Sequence, residues 1–265
     1  MSREEILVSI PFLEKTGCVK AAFTTRHGGI SQAPRESLNL SFSRGDDEET
    51  VRENYRRCAE AFGCDLSQMV LSRQPHGDRI EEVHAGDGGM RLVRDILPPE
   101  RDAVMTDEPG VVLVTSHADC VPVYLVDTEH HAIAMVHAGW KGTSLCIAEK
   151  AVYAMRTRYG TDPGKLLAAI GPSIGVCCFE VGEDVEKIFR ENFPGWDIFD
   201  ASGEKTRIDL WACNEGQLLR AGLKKENIAI TGTCTACHTQ TFFSHRREKG
   251  QTGTMAALLT WTGEI

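Results

Sequence analysis

Residues 118–142 read ADCVPVYLVDTEHHAIAMVHAGWKG, and this stretch decides how the chain folds. Val121-Pro122-Val123-Tyr124-Leu125-Val126 and Ala132-Ile133-Ala134-Met135-Val136 are apolar runs of strand length, separated by the polar Asp127-Thr128-Glu129-His130. That pattern predicts an antiparallel hairpin. Each run carries a metal-capable side chain at its outer end, Cys120 on one and His137 on the other. With a two-residue turn at Thr128-Glu129, Cys120 faces His137, and directly opposed Cβ atoms lie roughly 4.5–5.5 Å apart. Such a pair can share a metal ion or act as a thiolate–imidazole couple.

Outward from the hairpin, short apolar runs predict further strands at 21–25, 111–116, 167–170, 228–231 and 241–244. Val51, Tyr55, Cys58 and Phe62 recur at helical spacing, with Gly63 placed to end that helix. A second helix is expected from near Thr143 to Gly160, a third around Val185, Ile188 and Phe189, and a fourth capped by Asp209. Strands outnumber helices and the central hairpin is antiparallel. The expected fold class is therefore α+β, with layered mixed β-sheets flanked by helices and the central hairpin carrying the metal site. No repeat or long linker divides the chain, so residues 1–265 are expected to form a single domain.

The balance of 38 acidic against 29 basic residues gives a net charge of −9, which argues against sequence-independent nucleic-acid binding. No stretch approaches the roughly 20 apolar residues of a membrane span. The opening run after Met1-Ser2-Arg3-Glu4-Glu5 is broken by Pro11 and Glu14, too soon for a signal peptide, so a cytoplasmic location is expected. In that compartment the ten cysteines are expected to be mostly buried thiols, without a structural disulfide.

His76, in Ser72-Arg73-Gln74-Pro75-His76-Gly77-Asp78, joins Cys120 and His137 as a third ligand-type residue. Two imidazoles and a thiolate suit zinc with an open fourth position. Spacing alone leaves the alternatives standing: each histidine also reads as a hydrogen-bonded turn residue and Cys120 as a small buried hydrophobe. Cys234-Thr235-Ala236-Cys237-His238 matches a haem-attachment pattern, which the absence of an export signal argues against. A redox pair or half a zinc site is the next reading of that motif, but no second C-x-x-C exists, and buried strand-edge thiols is the plainest. Gly171-Pro172-Ser173-Ile174-Gly175 forms a tight loop ahead of the adjacent Cys177-Cys178. Arg26, Lys141 and Arg246 each sit beside glycine or aromatic turns and are candidates for an anion pocket, with surface solvation as the alternative for each.

Taken together, Thr25-Arg26-His27-Gly28-Gly29-Ile30-Ser31, Ser37-Leu38-Asn39-Leu40, Gln74-Pro75-His76-Gly77 and Ala118-Asp119-Cys120-Val121-Pro122-Val123 resemble the laccase-domain (YfiH-like) family. His137-Ala138-Gly139-Trp140-Lys141-Gly142, Gly171-Pro172-Ser173-Ile174-Gly175 and Phe243-Ser244-His245-Arg246-Arg247 continue the resemblance in the family's order. It spans roughly residues 20 to 255. The resemblance implies a zinc site of His76, Cys120 and His137, these also being the catalytic residues, with copper the alternative metal. It further implies phosphorolysis of purine nucleosides (adenosine, inosine, guanosine, methylthioadenosine) to base and ribose 1-phosphate, with adenosine deamination. Substrate contacts are expected from Arg26, Asn39, Lys141 and Arg246, on a monomer whose partners are nucleoside and phosphate. Three departures stand out: Lys141 where the family usually has Arg, Pro75 for Val, and Thr252-Gly253-Thr254 where Thr-Gly-Arg is frequent.

Three other readings compete. A metal-free Cys120–His137 hydrolase fits members of the family proposed to edit peptidoglycan precursors. A copper-dependent polyphenol oxidase needs closely spaced histidine pairs, and His130-His131 is the only adjacent one. A non-enzymatic binding module leaves the ligand-grade trio without a purpose.

Overall fold

The computed structural model describes residues 3–263. Its strands in chain order are β1 (Leu7–Ser9), β2 (Val19–Thr24), β3 (Met69–Val70), β4 (Ile80–Glu82), β5 (Ala103–Thr106), β6 (Val112–His117) and β7 (Val121–Asp127). They continue with β8 (Ala132–Ala138), β9 (Leu167–Ile170), β10 (Phe199–Asp200), β11 (Arg207–Ile208), β12 (Ile228–Ile230) and β13 (Met255–Trp261). The helices are α1 (Arg3–Ile6), α2 (Pro11–Glu14), α3 (Glu48–Phe62), α4 (Trp140–Ser144), α5 (Ile147–Tyr159), α6 (Glu183–Asn192) and α7 (Leu210–Arg220).

Two mixed sheets stack face to face. One has the order β1-β2-β13-β6-β3, the other β12-β9-β7-β8-β5-β4, and β10 with β11 forms a separate ribbon. Successive strand residues alternate between faces. Val121, Val123 and Leu125 of β7 therefore join the layer under α5 and α7, while Tyr124 and Val126 fill the space between the sheets with Phe23, Ala257 and Leu259. Leu258 and Ala256 turn to the opposite side, against Tyr55, Cys58 and Phe62 of α3. The Tyr124 hydroxyl crosses the inter-sheet layer and donates to the Ala22 carbonyl at 2.9 Å. The α+β fold with layered mixed sheets is the architecture expected from the hairpin.

The hairpin itself differs from the expected register. Asp127 pairs with Ala132 and Pro122 with His137, so the loop is Thr128 to His131, four residues rather than two. The longer loop is held by Asp127, whose side chain accepts from the Glu129 and His130 amides and contacts the His130 ring. Cys120 therefore lies diagonal to His137, not opposite it. The displacement is by two residues, an even number, which leaves both side chains on the same sheet face. Pro122 is tolerated in an interior strand because its pair with His137 is of the non-hydrogen-bonded kind. The Pro122 carbonyl accepts from Gly171 N on one side, and His137 N donates to the Asp102 carbonyl on the other.

Other boundaries also moved. The helix expected from near Thr143 starts at Trp140, breaks where Cys146 takes φ 61°, and resumes at Ile147. No strand forms at 241–244; Thr241 N and Phe242 N donate to the His238 carbonyl instead, and Phe242 and Phe243 are buried as a plug. Conversely β13, unforeseen, is the central strand of its sheet and every residue of it is buried. Only Cys58, Cys213 and Cys234 of the ten free cysteines are fully buried, against the expectation that most would be. Among the described residues no helix is long and apolar enough to cross a membrane.

Because Leu258 fills the layer beneath α3 with no exposure, Leu258→Ala is expected to destabilise the fold by about 2–5 kcal/mol. Urea denaturation would show a lower midpoint at unchanged slope; an unaltered midpoint would mean that layer is not cooperative with the rest.

Candidate functional site

His137 is the last residue but one of β8, on the inner face, Cys120 immediately precedes β7, and His76 occupies the turn between β3 and β4. Their ligand atoms all lie within 4.8 Å of one another. The His76 and His137 rings meet edge to face, centroids 4.9 Å apart. His76 sits at φ 65°, a left-handed conformation uncommon for a non-glycine residue. What holds it is Asp102, a side chain with no exposure at the start of β5: Oδ1 accepts from His76 N at 3.0 Å and Oδ2 from Gly77 N at 2.7 Å. The same Oδ1 receives His137 Nδ1 at 2.9 Å. One buried carboxylate thus fixes the His76 turn and the His137 ring together and leaves His137 Nε2 for the site. Hydrogen bonds of this kind orient metal-binding histidines.

Glycines make the room. A Cβ on Gly139 would meet Cys120 Sγ at 3.1 Å and the His76 ring at 3.3 Å, filling the space between the three ligand-type side chains. A Cβ on Gly142 would strike the Gly77 carbonyl at 2.8 Å, so α4 can lie against the His76 turn only as glycine.

The electrostatics of the trio are coupled. Burial resists ionisation of Cys120, but the His137 and His76 imidazoles outweigh it and bring the thiol down to about 6. Burial also disfavours the His137 imidazolium, yet the Cys120 thiolate and Asp102 push it up to about 9. Without metal, a thiolate–imidazolium pair therefore exists between those two values. Neighbouring His117 is held well below its usual range by burial and by His137. Its Nδ1 lies 3.0 Å from the Cys120 carbonyl, and its Nε2 2.8 Å from Thr115 Oγ1.

A measurable consequence follows for metal-stripped protein. At pH 7 a thiol at about 6 is roughly 90% ionised, against about 1% for one at 9. Intrinsic nucleophilicity falls by about 20-fold over the same three units, so Cys120 should alkylate only about fivefold faster than an ordinary thiol. The rate should rise with pH through about 6 and then level off, read by site-resolved mass spectrometry. A rise centred near 9 would rule out the pair.

The trio lines a cleft of about 390 Å³, within the range of small-molecule sites. Leu40, Phe42, Leu71 and Pro98 supply its apolar wall, while Arg44, Arg73 and Arg91 stand around it. Arg73 pairs with Glu100 and Arg91 with Glu48. Arg44 has no carboxylate partner among the described residues; its Nη1 lies 3.4 Å from His245 Nδ1.

The other four sequence candidates are not brought to the cleft lining. Arg26 donates to the Thr239 carbonyl at 2.8 Å, pairs with Glu248 at 3.0 Å and lies over the Phe243 ring. Asn39 is buried, its amide nitrogen on the Ser41 carbonyl and Asp46, its oxygen accepting from Ser41 N and Thr254 N. It shapes the 41–44 loop that carries Arg44. Lys141, exposed in the first turn of α4, makes no ion pair among the described residues. Arg246 donates to the Cys178 and Glu180 carbonyls. Asp102, Arg44 and His117 escaped the sequence reading; only Arg44, between Ser43 and Gly45 beside the Asn39 motif, carried a local signal.

Comparison with known proteins bears on this geometry. The family model described as multi-copper polyphenol oxidoreductase laccase matches residues 20–262. Purine nucleoside phosphorylase YlmD of Geobacillus stearothermophilus is 38% identical over 244 residues, covering 90% of this chain and 89% of that one. Adenosine deaminase RL5, from an unknown prokaryotic organism, is 34% identical over 245 residues, 91% and 93% of the two chains. The crystal structure of the Bacillus licheniformis hypothetical protein YfiH superposes with a TM-score of 0.91 at 35% identity, over 97% of each chain. With a family model covering nearly its whole length and relatives of this closeness, the chain belongs to the laccase-domain family.

Proposed function

We propose that this chain, acting as a single domain, is a zinc-dependent purine nucleoside phosphorylase that also deaminates adenosine. The observation that carries the reading is the His76–Cys120–His137 cluster, oriented by Asp102, in a cleft that Arg44, Arg73 and Arg91 also line. Relatives named for phosphorolysis and for deamination support the substrate class.

The donor set suits zinc: two imidazoles and a thiolate converge, and the missing Cβ of Gly139 leaves the space between them open. Bound there, zinc supplies Lewis acidity and a nucleophile at neutral pH. The rest of the chemistry belongs to the chain. Asp102 holds the His137 tautomer, the apolar wall receives the purine, and Arg44 is free to hold an anion in line with the anomeric carbon. Asp119 does not serve as a proton carrier in this reading, because Thr235, Ser244 and the Arg246 amide occupy both its oxygens.

Arg44→Ala is expected to raise KM for phosphate roughly tenfold, the loss of one charge-assisted contact, while adenosine deamination, which uses no phosphate, is unchanged. Equal losses in both reactions would assign Arg44 a structural role.

A second reading rests on the thiolate–imidazolium pair: a metal-free cysteine hydrolase. One experiment separates them. Purified protein is assayed for zinc and for phosphate-dependent release of adenine from adenosine. Stoichiometric zinc with adenine release supports the phosphorylase; metal-free protein inactivated by alkylation of Cys120 supports the hydrolase. Copper-dependent phenol oxidation would favour the oxidase, although His130 and His131 lie in the hairpin loop, at the far end from Cys120 and His137.

A further inference from the structure

We propose a second metal site, a closed tetrathiolate centre for zinc formed by Cys177, Cys178, Cys234 and Cys237. It is independent of the catalytic reading. β9 and β12 are parallel neighbours, so the loops that follow them leave the sheet at the same edge. The two loops are joined at Ser173 and Cys234: Ser173 N donates to the Thr233 carbonyl at 3.2 Å and Thr235 N to the Ser173 carbonyl at 3.0 Å. The first loop delivers Cys177 and Cys178, the second Cys234 and Cys237. The pair missing from the C-x-x-C motif is thus the adjacent Cys177-Cys178, which no sequence spacing connects to it.

The four Sγ atoms lie within 4.8 Å of one another. Cys237 Sγ is 3.6 Å from Cys177 Sγ and 3.5 Å from Cys178 Sγ. Those separations are far longer than the roughly 2.0 Å of a disulfide. They approach the spacing of about 3.8 Å that four sulfurs take around a tetrahedral ion with Zn–S near 2.3 Å. The backbone is built to present thiolates. Cys237 N and His238 N both donate to the Cys234 carbonyl, turning the C-x-x-C segment so that its thiols share one side. Gly175 N donates to Cys234 Sγ at 3.3 Å. A Cβ on Gly175 would lie 3.3 Å from Cys177 Sγ and 3.0 Å from the Trp211 ring, so the loop closes tightly only with glycine there.

Charge balance points the same way. Four thiolates around a divalent ion leave a net charge of about −2, and two arginines bracket the cluster. Arg247 directs Nη2 toward Cys178 Sγ at 3.9 Å and Nε onto the Ala236 carbonyl at 3.1 Å. Arg246 grips the Cys178 and Glu180 carbonyls. All four positions around the ion would be protein sulfurs, which makes the site structural rather than catalytic, and soft thiolate donors select zinc over harder divalent ions. The site also reaches toward the first one. Thr235, inside the C-x-x-C segment, donates to Asp119 Oδ1 at 2.7 Å, and Asp119 precedes Cys120.

Metal content and thiol reactivity of the purified, reduced full chain test this. Cys177 and Cys237 are exposed, so without an ion they react at once with a thiol reagent such as DTNB. The expected result is two zinc per chain, with these two thiols unreactive until a chelator is added. Cys237→Ser should lose one equivalent and lower Tm, while Cys120→Ser keeps that equivalent and loses the other. In cobalt-substituted protein the intense thiolate charge-transfer absorption should largely survive Cys120→Ser and fall in Cys237→Ser to the weaker band of the single Cys120 thiolate. Immediate reaction of Cys177 and Cys237 in untreated wild-type protein overturns the proposal without any variant having to fold. So does a disulfide involving Cys237, or a wild-type metal content unaffected by Cys237→Ser.

Discussion

Cys120→Ser is expected to release the metal ion bound with His76 and His137 and to abolish phosphorolysis and deamination together. Changes to groups that merely orient metal ligands already cost about 10–100-fold in affinity, and here a ligand atom itself is replaced. Serine is close to cysteine in size, so the fold should be preserved; Cys120 is only half-buried and its side chain supports no core layer. Its carbonyl, which receives the His117 ring, is untouched. At neutral pH a serine hydroxyl stays protonated, whereas the cysteine thiol is brought down to about 6 by the two imidazoles. The anionic ligand is therefore lost along with the soft one. Affinity for zinc at this site and both activities should fall by at least about 100-fold, bound zinc should drop by one equivalent per chain, and the urea midpoint of the metal-stripped protein should be little changed. A variant that keeps its zinc and its phosphorolysis would remove Cys120 from the site. One that keeps zinc but loses activity irreversibly would favour the thiol as a nucleophile.

The hairpin was legible in residues 118–142 because apolar length, a polar interruption and two ligand-type side chains coincide there. Its register was not, since loop length depends on how Asp127 caps the turn, a side-chain contact with no fixed sequence signature. The error was harmless to the site because side chains repeat every two residues along a strand. β13 went unread for a different reason. Met255-Ala256-Ala257-Leu258-Leu259-Thr260-Trp261 is covered on both faces, by the other sheet and by α3, so it shows none of the alternation that marks a half-exposed strand. Phe242-Phe243 showed the reverse: a short apolar run reads as strand whether it pairs or plugs a gap. Arginine beside glycine reads alike in a sequence whether its guanidinium meets a phosphate or a carbonyl. Arg26 and Arg246 spend their guanidinium groups on main-chain oxygens, whereas Arg44 keeps its own away from carboxylates.

Asp102 was the least readable residue and carries the second large prediction. It follows Pro98-Pro99-Glu100-Arg101, a stretch that looks like a charged surface loop. Only the pairing of β5 with β8 brings it beside His137, where its carboxylate takes three N–H donors and is shut away from water. Asp102→Asn retains the volume but offers one carbonyl oxygen and an NH2. If the oxygen serves Gly77, the NH2 faces the His76 amide and the His137 ring; if it serves those, the NH2 faces Gly77 N. Either way a buried donor meets a donor, costing about 1–3 kcal/mol of stability. The first arrangement also forces His137 to accept at Nδ1, which places its proton on Nε2, the nitrogen the metal requires. Zinc affinity should therefore drop by at least about 10–100-fold, the range for losing an orienting carboxylate. A positioning role makes a further demand that a purely structural one does not. Saturating zinc should restore much of kcat while the urea midpoint stays below that of wild type at the same zinc concentration, because metal binding can pull the ring back to the productive tautomer without repairing the Gly77 contact. Activity and midpoint recovering together would make Asp102 a fold residue, and an unchanged zinc affinity would detach it from the site.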